Sequence, residues 1–189
     1  MTELDKMLSG QLYYSNDETL HYLRVKCREL TSAYNHSQPS YKKFREEILQ
    51  NLLGKFAPKC EIEPNFFCDY GFNIELDENV FINFNCVFLD CAKIKVGKNV
   101  LIGPNVKIFT AGHPIDSETR ISGLEFAKPV TIEENVWIGG SIIINPGVTI
   151  GKNSIIGSGS VVTKDIPQNV IAAGNPCRII KTIEDVKKV

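Results

Sequence analysis

The sequence predicts a mainly β chain: a parallel β-helix of six-residue repeats, preceded by a helical segment and broken by an extended loop. Three observations carry that prediction. Ile132, Ile138, Ile144, Ile150, Ile156 and Val162 follow one another at intervals of six without a slip. Four residues after the first five of them come Val136, Ile142, Val148, Ser154 and Ser160, all small or β-branched. Between the anchors stand "EEN", "NPG" and "GKN", turn chemistry in which glycine and asparagine tolerate positive φ. Six is not near a multiple of 3.6, so on a helix these anchors would precess around the surface. Short β segments joined by tight turns deliver each of them inward.

The helical segment comes first, over residues 1–55. Leu20, Leu23, Cys27, Leu30 and Tyr34 lie three or four apart with charged residues between them, and Phe44, Ile48 and Leu52 repeat the pattern. "NHSQPS" at 35–40 separates them as a loop, so two amphipathic helices precede Gly54. The repeat body and a C-terminal tail fill 56–189. Its frame starts at Leu76, Ile82 and Phe88 and, after two extra residues, resumes at Val96, Ile102 and Ile108, with Val80, Cys86, Val100 and Val106 in the small position.

Twenty-four residues then separate Ile108 from Ile132. They hold proline, two glycines and several charges, and coils stacked about 4.8 Å apart have no room for them within a face. The segment is expected to loop outward. His113, in "TAGHPID", heads it and is the one histidine of the repeat region, since His21 and His36 belong to the helical segment.

Composition limits what such a chain does. In 189 residues, 21 basic side chains meet 22 acidic ones, and no run of like charge is long enough to follow a phosphate backbone, so nucleic acid is not expected as a partner. "MTELDKMLSG" lacks the apolar core of an export signal, and the longest aliphatic runs are far too short to span a bilayer, so no membrane role is expected. The six cysteines form no CxxC pair and no disulfide or zinc spacing; a reduced, cytoplasmic protein is the expectation.

The hexads "VTIEENVWIGGSIIINPGVTIGKNSIIGSGSVVTKDIP" and the closing "AAGNPCRII" resemble the left-handed parallel β-helix of the hexapeptide-repeat acyltransferases. The left hand is implied by that resemblance alone, and it opposes the usual crossover preference. "GQLY", "CDYGFNI", "NFNCVFLD" and "TAGHPID" together resemble the maltose and galactoside O-acetyltransferases, with the helical segment included in the match. The resemblance implies transfer of an acetyl group from acetyl-CoA to a sugar hydroxyl by a homotrimer with active sites between subunits.

Acyl transfer from a thioester to a hydroxyl needs a base, oxyanion donors and a groove for the coenzyme. An imidazole titrates near neutrality, so His113 is the candidate general base. No serine in a GxSxG context and no cysteine paired with histidine suggests a covalent acyl-enzyme, so direct transfer is expected. The resemblance points to the backbone N–H of Gly140, beside Trp137, as oxyanion donor; glycine there removes a Cβ from the approach. It also assigns coenzyme A to Trp137, Gly140, Ser158, Thr163, Lys164, Arg178 and Lys181. Relatives carry serine for Gly140 and arginine for Lys181 in some cases, and the lysine offers a point charge in place of a fork.

For the acceptor, the resemblance points to Asp69, Asn83 and Asp90, with Asp17 and Arg24 closing over the sugar from the helical segment and Glu125 at the return of the loop. Asn83 and Asn85 alternate along an expected strand and would share a face; a stacked turn ladder is the structural reading of the same residues. No metal is expected, because zinc enzymes with similar coils need three ligands and this region holds one histidine. Two other functions fit the same repeats: transfer to an antibiotic, serine or a sugar nucleotide, and a non-enzymatic scaffold.

Overall fold

The computed structural model describes residues 1–186. The six-residue period becomes a three-sided prism of parallel strands. One face, here the polar face, stacks Lys55–Phe56, Ile74–Leu76, Ile94–Val96, Val130–Ile132 and Thr149–Ile150. The next, the Trp137 face, stacks Glu61–Ile62, Phe81–Ile82, Leu101–Ile102, Trp137–Ile138, Ile155–Ile156 and Val170–Ala173, closed by the antiparallel strand Arg178–Thr182. The third, the Phe67 face, stacks Phe66–Cys68, Cys86–Leu89, Lys107–Phe109, Ile143–Ile144 and Val161–Val162. The register is strict: Ile108 stands beside Phe88 and Ile144, and Ile132 beside Val96 and Ile150.

The anchors and the small positions fill the interior together. All six anchors from Ile132 to Val162 are buried, and so are Val136, Ile142, Val148, Ser154 and Ser160. The turn chemistry has a physical basis at the corner between the polar and Trp137 faces. Asn79, Asn99, Asn135, Asn153 and Asn169 all adopt φ near 60°, where asparagine is tolerated. Each of the first four donates its side-chain amide to the next one's oxygen, at 2.8–3.1 Å.

Three helices, not two, precede the prism: α1 (Glu3–Leu8), α2 (Glu18–Asn35) and α3 (Lys42–Leu52). α1 and the strand Tyr13–Tyr14 have no sequence signal, because a six-residue helix held by a Thr2–Asp5 capping box shows no repeat of its apolar face. α2 and α3 lie on the base of the prism, where Cys27, Tyr34, Ile48, Leu49 and Leu52 join the same core as the coils. The helical segment therefore shares its core with the repeat body. Phe44, assigned to the buried stripe, is half exposed, and Ile48 and Leu52 carry that contact.

The segment after Ile108 does leave the prism. It forms a strand at Ala111–Gly112, α4 (Ser117–Ile121) and a strand at Leu124–Ala127. The latter pairs antiparallel with Ala111–Gly112 on one side and Tyr13–Tyr14 on the other. A Cβ at Gly112 would lie 2.6 Å from the Phe126 ring, so a larger residue there would have to displace that ring.

Candidate active site

The candidate residues arise where the hexads are broken. At the corner between the Phe67 and polar faces, three successive coils take more than six residues to turn: Cys68 to Leu76, Phe88 to Val96, and Ile108 to Ile132. The coil above, from Ile144 to Ile150, takes six. Asp69, Asp90 and the pair His113 and Glu125 come one set from each break. A stack of insertions on one corner thus brings together residues far apart in sequence.

The details are set by hydrogen bonds. Tyr13, fully buried, donates its hydroxyl to Glu125 Oε2 at 3.0 Å and stands opposite Glu125 in the strand register. Ala111 faces Ala127 and Gly112 faces Phe126, so continuing that register by one residue puts His113 opposite Glu125. His113 itself is exposed in the single chain. Asp69 is partly buried, and burial raises its carboxyl above the usual carboxylate range; Cys91 Sγ lies 3.7 Å from its Oδ2. Burial likewise pushes up the thiol of Cys91 and the phenols of Tyr13 and Tyr70. Arg24 donates to Tyr70 Oη and to the carbonyl of Ser15, both at 2.7 Å, so it links α2 to the turn after the first strand and to the prism. Asp17 caps α2, accepting from the N–H groups of Thr19 and Leu20.

Two of the acceptor candidates stand differently from the expectation. Asp90 has no exposed surface; its Oδ1 accepts from the N–H groups of Asp69 and Tyr70 and its Oδ2 from that of Asn73. It holds the backbone on which Asp69 and Tyr70 stand and has no surface to offer a ligand in this chain. Asn83 and Asn85 are not on a strand, since the strand ends at Ile82 and the next three residues make the turn to the Phe67 face. Asn85 sits at φ 60° with its amide oxygen accepting from Asn65, the turn-ladder arrangement. In one chain Asn83 is therefore a whole face away from Asp69.

The coenzyme candidates form a second group. Trp137, half exposed, stands in one cross-strand row with Ile155, Ile171 and Lys181, a span of about 14 Å at ordinary strand spacing. Arg178 pairs with Ala173 on the same face, exposed. Gly140 turns the corner between the Trp137 and Phe67 faces, and its N–H donates to Ser158 Oγ at 3.1 Å. Thr163 and Lys164 lie beyond the far end of Val161–Val162, across the Phe67 face from Gly140. The same face separates Gly140 from His113, since Ile143–Ile144 starts from the corner of Gly140 and its neighbour Lys107–Phe109 ends towards that of His113. A groove of about 590 Å³ on the polar face, over Glu75, Lys95, Thr131 and Lys152, holds none of these residues. Among the described residues no three His, Cys, Asp or Glu side chains converge as a metal site would need. No helix among them is long and apolar enough to cross a membrane.

Comparison with known proteins decides the family. Residues 6–57 match the family model for the maltose acetyltransferase hexapeptide capping motif, and residues 129–164 match that for the bacterial transferase hexapeptide. The galactoside O-acetyltransferase of Escherichia coli K12 is 42% identical over 188 residues, covering 100% of this chain and 93% of its own. The chain belongs to the maltose/galactoside O-acetyltransferase family. Two solved members superpose closely. A maltose O-acetyltransferase from Clostridium difficile 630 matches with TM-score 0.95 and 53% identity over 96% of this chain and 97% of that one. A galactoside acetyltransferase in complex with coenzyme A matches with TM-score 0.95 and 42% identity over 100% and 94%.

Three residues at the corner of Asp69 had no place among the sequence candidates: Tyr13, Tyr70 and Cys91. The two-residue slip after Phe88 marked the place of Cys91. Tyr13 carried no periodic signal, because its partner Glu125 lies 112 positions away.

Proposed function

We propose that this protein transfers an acetyl group from acetyl-CoA to a hydroxyl of a sugar acceptor of the maltose, glucose or galactoside type, directly and with His113 as general base. What supports the reading is the Tyr13–Glu125 pair, whose carboxylate is near enough to act on Asp69, on a strand whose partner Ala111–Gly112 runs on into His113, the repeat body's single histidine. The full-length likeness to a maltose and a galactoside acetyltransferase, the latter bound to coenzyme A, supports both reactants.

In this mechanism the imidazole of His113 takes the proton of the sugar hydroxyl as its oxygen attacks the thioester carbon. The C–O bond forms, the carbonyl oxygen gains the negative charge, and the C–S bond then breaks. The imidazolium returns the proton to the departing coenzyme A thiolate. Gly140 N–H stabilises the oxyanion once the thioester oxygen replaces Ser158 Oγ as its acceptor. Asp69 and Glu125 accept from sugar hydroxyls, and Arg24 and Asp17 hold the helical segment over them. Asn83, Trp137, Ser158, Thr163, Lys164, Arg178 and Lys181 serve the same reaction from the other corners.

Those corners are a face apart in one chain, so a single site uniting them is assembled between copies. The outward positions favour it: Phe67, Val87, Ile143 and Val161, with Lys107 among them, on one face, and Phe81, Leu101, Trp137 and Ile155, with Glu61 at the end of the row, on the next, against Lys55, Glu75, Lys95 and Thr131 on the third. Three copies around an axis cover both apolar faces. The six free thiols fit a reducing compartment, the cytoplasm.

Coenzyme A release measured with glucose, maltose, a galactoside, serine and an aminoglycoside tests the reading. Turnover with a sugar and not with the others is expected. Turnover confined to the non-sugars would overturn the acceptor, and none with any would overturn the enzymatic reading.

A further inference from the structure

We propose that Asp90 is the positioning residue of the acceptor wall: one buried carboxylate that fixes Asp69 and Tyr70 by holding the backbone turn on which they stand. The role of that wall in sugar binding rests on the function proposed above; the hold on the turn does not.

The break after Cys68 is a loop from Asp69 to Asn73 that lies outside the parallel ladder, so its N–H groups lack strand partners. Asp90, from the break in the next coil, supplies them. Its Oδ1 accepts from Asp69 N at 3.0 Å and Tyr70 N at 2.9 Å, and its Oδ2 from Asn73 N at 3.3 Å. Asn73 answers by donating its side-chain amide to the Asp90 carbonyl at 2.8 Å, and both residues are buried. Three N–H bonds to one buried carboxyl group, strongest when it is ionised, and a fourth contact from the Asn73 amide to the Asp90 carbonyl fix the turn.

The same device is repeated one coil higher. Thr110 Oγ1, also fully buried, accepts from Ala92 N at 2.9 Å and donates to the Leu89 carbonyl, and so holds the break that carries Asp90. Each interruption is thus supported by a side chain from the interruption above it. The residues at the end of that chain of support face the acceptor corner: Asp69 with Cys91 at its carboxylate, and Tyr70 with Arg24 at its hydroxyl. Asp90 touches none of the reacting atoms, and its influence passes through the turn.

The test uses Asp90→Ala and Asp90→Asn in the full chain, with two readouts. Amide hydrogen exchange at Asp69, Tyr70 and Asn73 reports the turn whether or not the protein acts on sugars, and steady-state kinetics reports the wall. Asp90→Ala is expected to speed exchange at all three amides by roughly a hundredfold and to raise the acceptor KM by roughly tenfold, with the acetyl-CoA KM within about twofold. Asp90→Asn keeps an oxygen for Asp69 and Tyr70, so those amides stay protected, exchange quickens at Asn73 alone, and the acceptor KM stays within about threefold. This variant decides the matter if the alanine protein does not fold. Protection unchanged in Asp90→Ala, or lost at Asp69 and Tyr70 in Asp90→Asn, overturns the hold on the turn. Altered exchange with an unchanged acceptor KM, or with both KM values raised in parallel, overturns its link to the acceptor. A wild-type protein inactive on every sugar overturns the function and leaves the exchange result to judge Asp90.

Discussion

Tyr13 donates its buried hydroxyl to Glu125 at 3.0 Å, and the bond ties the first strand of the chain to the returning limb of the loop that carries His113. Deleting the hydroxyl leaves a carboxylate oxygen without its donor beside a fully buried ring. Tyr13→Phe is therefore expected to lower unfolding stability by about 1–2 kcal/mol and to raise the acceptor KM severalfold. Urea unfolding and initial rates check it; no change in either quantity would contradict the tie.

Gly139 and Gly140 are adjacent, yet only one is required by packing. A Cβ at 139 would lie 2.7 Å from Ser158 Oγ and 2.8 Å from Ser158 N, whereas at 140 the nearest atom is the Pro104 carbonyl oxygen at 3.3 Å. Gly139→Ala is expected to cost about 1–3 kcal/mol and Gly140→Ala less than about 1 kcal/mol. Thermal unfolding of the pair measures the difference, and equal losses would show that coil stacking does not distinguish them.

Burial raises the Asp90 carboxyl to about 7, with the Asp69 charge adding to the effect and backbone N–H groups opposing it. Cys68 and Cys91 are its other titratable neighbours. The unfolded chain gives up this proton near pH 4 and the native state near 7, so between those values the native state holds more protons. The contribution is complete below about pH 4 and falls as pH rises, by at most about 4 kcal/mol. Unfolding of wild type against Asp90→Asn across pH 4–7 should show the difference shifting against wild type as pH rises. A flat difference would contradict it.

The two apolar faces predict association. Leu101, half exposed at the centre of the Trp137 face, pairs with Phe81 and Trp137. Leu101→Glu is expected to leave the chain folded and, on the proposal of a site shared between three copies, to shift sedimentation from three copies to one with loss of turnover. A monomeric wild type, or an active monomeric variant, would contradict an inter-subunit site.

The repeat body was legible in the sequence because its physics is local: an aliphatic anchor every six residues, with asparagine or glycine at most of the left-handed turns. The helices α2 and α3 were legible through their 3.6-residue pattern. What stayed hidden depends on contacts between distant segments. Nothing near Tyr13 announces Glu125, and nothing near Asp90 tells a contact residue from one whose oxygens are already engaged by Asp69, Tyr70 and Asn73. Asn83 misled for the opposite reason, because its alternation with Asn85 looks like a strand and is a turn.

The most direct test of the account is the turnover of His113→Ala. His113 is exposed and its side chain has no hydrogen-bond partner among the described residues, so the variant is expected to keep its melting temperature and its acetyl-CoA KM. Its kcat for acetyl transfer to a sugar should fall by about 10²–10⁴. A folded His113→Ala protein turning over at near wild-type rate would contradict general-base catalysis by this residue.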